Sequence, residues 1–351
     1  MRARVAVASN ALSCDDLSLA AANLTHCVLL DEINAHANLV FGDNADLAAF
    51  LHAVRSEASL PQGAKTRWTE TLVRLKKQGR IRVTDDHAMP LATVSELPEL
   101  RVAWAKHAEV AVIANSACPT LHVPDTGLRI DPGAKPDVAT ATAATQAPDL
   151  RRIQDLEAEP FVANGTPREG FWRDVLAPVA SGATSATVLD RYLFQSALDL
   201  AAGQPWTRGW RGEQLGWLLK HLDDVMAPGA EVRLVGQSPT RYGALDADET
   251  AEAVYDAWQP SPSGRLAAVE LVLAPATSGS AFPHDRHIRF SSGAAVGITA
   301  GFDRLRAEAI LDDDGMAWSY WWHPNTLQAL EVKEARAASL ANTPPALVLR
   351  R

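Results

Sequence analysis

His284 and Arg286 are the residues whose types and spacing could do chemistry. They stand in the stretch Phe-Pro-His-Asp-Arg-His-Ile-Arg-Phe-Ser-Ser-Gly, from Phe282 to Gly293. On a β-strand, alternate residues point to one face. A histidine and an arginine paired there can hold a phosphate. The imidazole attacks phosphorus or protonates an oxygen, and the guanidinium neutralises oxygen charge through its fork of donors.

The elements that must position this pair alternate between strand and helix. Phe171 to Ala180 reads as a short helix and Ala186 to Phe194 as a strand rich in β-branched and aromatic residues. Gly212 to Met226 is an amphipathic helix, with Leu215, Leu218, Leu219, Leu222 and Val225 at helical spacing, ended by Pro228-Gly229. Val232 to Val235 is a strand, Ala247 to Trp258 a helix, and Ala268 to Ala274 a strand. The His284 segment and a strand from Ala295 to Thr299 follow. Strands separated by helices imply a sheet with parallel members and right-handed crossovers.

An N-terminal region repeats the α/β pattern. Arg4 to Ala8, Cys27 to Leu30, Asn38 to Phe41, Ile81 to Val83 and Val110 to Ala114 read as strands. Asp43 is placed to cap a helix carrying Leu47, Phe50, Leu51 and Val54 on one face, and a second helix spans Lys65 to Lys77. Residues 132–150 are rich in Ala, Thr and Pro without an apolar period, so they read as an exposed linker. The expected fold class is therefore α/β. An N-terminal domain covers 1–131, and a C-terminal domain with a mixed sheet and helices on both faces covers 151–351.

Composition narrows the function. A chain of 351 residues with formal net charge -9 is not a non-specific DNA coat protein, although a local basic cleft is compatible with that balance. The odd, widely spaced Cys14, Cys27 and Cys118 give no disulfide framework. No apolar run is long enough for a membrane span, and a reducing, cytoplasmic setting is expected.

The C-terminal element order and the His284 segment resemble the phospholipase D superfamily, whose signature is His-x-Lys, then Asp, then Gly-Ser-x-Asn. His284 matches the nucleophile and Arg286 the Lys. Ser291 stands where the family has Asp. Gly293 agrees with a glycine often seen there. Thr299 falls at the family's Ser, Gly301 at its Asn, and Phe302 at the apolar residue after it. The segment is also similar to the phospholipase D-like C-terminal domain of MIT-domain proteins, through His284-Asp285-Arg286, Gly293, Gly301-Phe302-Asp303 and Leu189-Asp190-Arg191-Tyr192. That branch is regarded as non-catalytic and as binding acidic head groups.

The resemblance implies phosphodiester binding, and cleavage if His284 becomes phosphorylated while a second histidine protonates the leaving oxygen. One motif per chain makes a homodimer with two His284 motifs face to face the expected active state. Ser291 cannot supply a carboxylate's charge, and Asp303, Asp190 or Asp285 are the substitutes. Arg286, Arg289 and Arg191 are the phosphate-binding candidates. His287 also reads as a solvated strand residue. Trp206, Arg208, Trp210 and Arg211 follow the first strand of this domain, where interleaved aromatic and cationic groups could hold nucleic acid. Packing of either tryptophan against the next helix is the alternative. Nucleic acid is the expected partner, with a bacterial defence role as one setting. A non-catalytic module for a protein partner or acidic lipid is the competing reading, and the N-terminal domain is a candidate partner surface.

No cofactor is expected. Asp31, read at a strand end, is similar to the first acid of PIN-like nucleases, with Glu70 and Asp85 or Asp86 to complete it. Acids in such places are also ordinary surface residues. Cys118 and His122 have a zinc-compatible spacing without a second pair, so no metal site is assigned.

Overall fold

The computed structural model of the chain describes residues 2–84, 86, 88–201, 214–238, 246–310 and 315–350. The protein is α/β, with two mixed sheets flanked by helices, and it divides into two compact units, Arg2–Leu156 and Glu157 onward.

In the first unit the elements run β1 (Ala3–Val7), α1 (Leu19–His36), β2 (Ala37–Phe41), α2 (Asn44–Ser56), α3 (Gln62–Lys77) and β3 (Ile81–Val83). Then come α4 (Leu97–Trp104), β4 (Val110–Ile113), β5 (Leu128–Arg129), β6 (Asp137–Thr140) and α5 (Pro148–Ala158). The sheet order is β3-β2-β1-β4-β6-β5, all parallel except the β5 edge. β1, β2 and β4 are near-continuous apolar runs, as strands covered on both faces must be. Asp43 does cap α2, accepting from the Asp46 amide at 2.6 Å.

Cys27 to Leu30 is not a strand. It lies inside α1, where Ala22, His26, Leu29, Leu30 and Ile33 are buried at helical spacing. A short apolar run is ambiguous by itself, and only its continuation on both sides shows the helical period. The C-terminal end of α1 is covered by Arg80, 2% exposed, which donates to the carbonyls of Ile33, Asn34 and Ala37. A guanidinium there satisfies orphan carbonyls and offsets the helix dipole.

The expected linker over 132–150 is also corrected. Asp137–Thr140 is the buried strand β6, parallel to β4, and Ala143, Ala144 and Ala147 are core residues. Small side chains concealed the strand, because Ala and Thr fill narrow space without the bulky apolar signature of a core element. The unit boundary falls after Leu156 instead.

The second unit contains β7 (Phe161–Val162), α6 (Arg168–Phe171), a π-helical turn (Trp172–Leu176), α7 (Ala177–Ala180), β8 (Ser185–Leu189) and α8 (Gln195–Ala201). It continues with α9 (Gln214–Val225), β9 (Ala230–Gln237), α10 (Ala247–Trp258), β10 (Leu266–Ala274), β11 (His287–Phe290) and β12 (Ala294–Ile298). β13 (Met316–Trp321), α11 (Pro324–Ser339) and β14 (Ala346–Arg350) follow. The sheet order is β14-β10-β9-β8-β11-β12-β13-β7. β8, β9 and β10 are parallel, while the other pairings are antiparallel. β8 stops at Leu189 rather than Phe194, because Asp190 turns the backbone away by accepting from the Tyr192 amide at 2.9 Å. Among the described residues no helix is long and apolar enough to cross a membrane.

The first unit carries an internal polar relay. Trp68 Nε1 donates to His26 Nδ1 at 3.2 Å, and indole can only donate, so the His26 proton sits on Nε2, 3.2 Å from Cys14 Sγ. Burial holds the pair neutral, lowering the His26 imidazole to about 4 and raising the Cys14 thiol to about 11. Cys14 is therefore a packed thiol rather than a nucleophile. An imidazole with a depressed folded pKa contributes stability that is complete above the unfolded value of about 6.5 and declines as pH falls toward 4. Urea titrations of the protein should show the first unit losing about 3 kcal/mol across that interval, and His26→Gln should flatten the loss.

Candidate functional site

Ligands in open α/β sheets gather beyond the C-terminal ends of parallel strands. In the second unit that edge carries Asp190, Arg191 and Tyr192 after β8, and Gln237 and Ser238 at the end of β9. β11 enters the sheet from the same side, so Arg286 arrives beside them. The turn after β12 adds Thr299, Gly301 and Asp303.

Asp190 is 2% exposed. One carboxylate oxygen accepts from the Tyr192 amide at 2.9 Å, and the other accepts from the Phe302 amide at 2.9 Å. Arg286 Nε lies 3.8 Å from the first oxygen. Burial pushes the Asp190 carboxyl up, against the two amides and Arg286, which favour its charged form. Gly301, at φ 96°, lets the three segments meet: a Cβ there would lie 2.9 Å from Asp190 Oδ2 and 3.1 Å from Arg286 Cδ.

Two guanidinia are fixed around Tyr192. Arg286 Nη1 donates to the Thr299 carbonyl at 2.8 Å. Arg191 Nε donates to Gln237 Oε1 at 2.7 Å, and the Gln237 amide donates to the Pro275 and Ala276 carbonyls. The two guanidinium carbons lie 5.6 and 5.9 Å from the Tyr192 ring centroid. Tyr192 itself is 53% exposed. Arg191 Nη1 and Nη2 and Arg286 Nη2 make no hydrogen bond with the described residues, so each arginine keeps outward donors after being positioned.

Other expected residues are placed differently. His284 and Arg286 precede β11 rather than lying in it, because β8 ends opposite His287 and offers no ladder to the residues before it. The shared-strand-face argument therefore does not apply to them. His284 is exposed and makes no side-chain hydrogen bond with a described residue. Ser291 lies at the far end of β11, roughly 16 Å from Arg286 at strand rise. There its hydroxyl accepts from the Thr184 and Ser185 amides at 2.9 and 3.1 Å. It joins no constellation with His284. Thr299 contributes its carbonyl, with its side chain exposed. Asp303 lies beside Gly301 and adds negative charge near Asp190. Trp206, Arg208, Trp210 and Arg211 lie outside the described residues.

Arg289 is not available to a phosphate. It makes a forked pair with Glu334 of α11, its Nε 2.9 Å from Oε1, and His287 Nε2 reaches the same oxygen at 2.9 Å. His287 is fully buried, not solvated. Burial raises the Glu334 carboxyl, but hydrogen bonds and charge from His287 and Arg289 outweigh it and leave the group below its ordinary value. Asp285 is engaged by Lys333 at 2.6 Å.

In the first unit, Asp31 lies on α1 paired with Arg67, Glu70 lies on α3, and Asp86 pairs with Lys106 and His107. Asp85 lies outside the described residues. No group of acids, histidines and cysteines that could hold a metal forms among the described residues.

Sequence reasoning missed Gln237, which locks Arg191, and Gln214 at the start of α9, 2% exposed with neither amide atom hydrogen-bonded to a described residue. Ser238 Oγ, after the end of β9, is likewise buried without a partner among the described residues. A glutamine at a strand end carries no spacing signal; only the strand order makes it a neighbour of Arg191. No protein-family model matches the chain, and no curated protein matches it.

Gly301→Ala should cost about 2 kcal/mol in urea unfolding, from strained backbone and the crowded Asp190 contact. Glu334→Ala should cost about 3 kcal/mol at pH 7, because it leaves Arg289 and His287 without their shared acceptor. Glu334 has a depressed folded pKa, so its contribution is full above about 4.3 and is lost as pH falls through the lower folded value. Stability curves of protein and variant should converge once the pH has fallen through the lowered folded value of Glu334.

Proposed function

We propose that the second unit binds phosphodiesters and that single-stranded nucleic acid is its ligand. One observation carries the reading: two guanidinia, each anchored on one nitrogen with donors left over, border the half-exposed Tyr192 at the C-terminal edge of the parallel strands. Phosphate oxygens accept from the outward N–H groups, and a splayed base stacks on the phenol ring. The element order and the His284-x-Arg286 spacing, which resemble the phospholipase D superfamily, support the same ligand chemistry. The setting proposed with it is cytoplasmic.

Binding without turnover by a single chain is the form of this reading that the geometry supports. Ser291 is remote from His284, and Asp190 already accepts two amide protons, so neither orients an imidazole. Cleavage would proceed only with a second copy. His284 of one chain attacks phosphorus, the ester P–O bond breaks, and His284 of the other gives its proton to the leaving oxygen. Water then hydrolyses the phospho-histidine.

Fluorescence polarisation with labelled single-stranded DNA and RNA, duplex DNA and acidic liposomes tests this. Single strands should bind best, and raising salt should weaken binding. Arg191→Ala and Arg286→Ala should each lower affinity several-fold and reduce the salt slope by about 0.7. Tyr192→Ala should cost about 1–3 kcal/mol. Preference for liposomes would favour head-group recognition, and no binding to any of these would leave a protein-interaction module. EDTA-resistant cleavage lost in His284→Ala would establish the two-histidine mechanism, while Mg²⁺-dependent cleavage surviving that change would move chemistry to the first unit.

A further inference from the structure

The first unit contains a cleft of about 320 Å³ that the phosphodiester reading does not use. It lies where α2 and α3 pass over β3. This strand has only three residues, all half-buried, and forms the parallel edge of its sheet. Leu51 and Val54 of α2, Leu72 and Val73 of α3, and Ile81 and Val83 of β3 wall the cleft. Val73 is 52% exposed, so the apolar wall opens to solvent.

The charged members of the lining are all of one sign. Arg55 and Lys76 belong to it, and no carboxylate does among the described residues. Each stands in the last turn of its helix, where the dipole favours a cation. Neither head group has an ion pair or side-chain hydrogen bond with a described residue. An apolar floor with cations at its rim matches a ligand with a hydrocarbon tail and one anionic end. At about 30 Å³ per heavy atom the cleft holds roughly ten atoms, within the size of small-molecule sites.

We infer that this cleft binds a medium-chain amphiphile with an anionic head, a fatty carboxylate of about ten carbons. The tail displaces water from Leu51, Leu72, Val73 and Ile81, and the carboxylate pairs with Arg55 and Lys76. The opposite arrangement, a cationic head, would meet two like charges.

Titration calorimetry on the whole protein, with sodium alkanoates from hexanoate to tetradecanoate below their micelle concentrations, tests the assignment. Affinity should rise about fourfold per methylene and level off near decanoate, where the cleft is full. Decyltrimethylammonium, with the same tail and opposite charge, should bind at least tenfold more weakly. The double variant Arg55→Gln, Lys76→Gln should lower decanoate affinity at least tenfold, while losing the two dipole contacts lowers the ligand-free melting temperature by only a few degrees. Val73→Asp at the open wall should weaken decanoate in the wild-type charge background. Affinity that climbs without a plateau, or equal binding of the cationic amphiphile, would overturn the proposal. So would decanoate binding unaffected by either variant, or no binding at all. Concentration-dependent dimerisation abolished by Val73→Asp, with no alkanoate binding, would assign the face to a second copy instead.

Discussion

The second unit depends on one buried carboxylate. Asp190 ends β8, starts the turn that exposes Tyr192, and receives the amide that begins the turn after β12. It also faces Arg286 as the chain enters β11. A charge taken out of water is tolerated only when its lone pairs are filled, and here two backbone amides fill them. Three segments distant in sequence thereby acquire one shared origin. Gly301 permits the approach because it offers no side chain where the acid and the arginine meet.

That arrangement separates support from recognition. Arg191 and Arg286 each spend one nitrogen on a fixed acceptor, so little rotamer freedom remains to be lost when an anion arrives. Arg289 and His287 resemble recognition groups on paper but are committed to Glu334, joining β11 to α11. Chemically similar residues only a few positions apart thus serve opposite purposes: Glu334 of α11 takes His287 and Arg289 within β11, while Arg286, before the strand, is held by the Thr299 carbonyl.

Long periodic elements were legible in the sequence. α10 runs from Ala247 to Trp258 as its pattern implies, held by a capping box between Asp246 and Glu249. The alternation of strands and helices gave the α/β class of both units. Short or small-residue segments were not legible: Cys27–Leu30 belongs to a longer helix, and β6 is hidden among alanines and threonines. At the site, Arg191 and Arg286 stood out by type, whereas the separation of Ser291 from His284 depends on where β11 begins. That start is set by the length of its neighbour β8, which no local pattern in the His284 segment encodes. Gln237 becomes visible only through strand order.

The edges of the second unit's sheet, as the described residues form it, have a consequence for how the chain is made. One edge is β7, near the beginning of the second unit, and its partner β13 emerges much later; the other edge is β14, Ala346–Arg350, which closes on β10. During synthesis the parallel trio β8, β9 and β10 can assemble early, but its outer flank stays bare until β14 leaves the ribosome. In that interval β10 presents an unpaired apolar edge. The second unit is therefore most exposed to misassociation during translation, before β14 is available to cover β10.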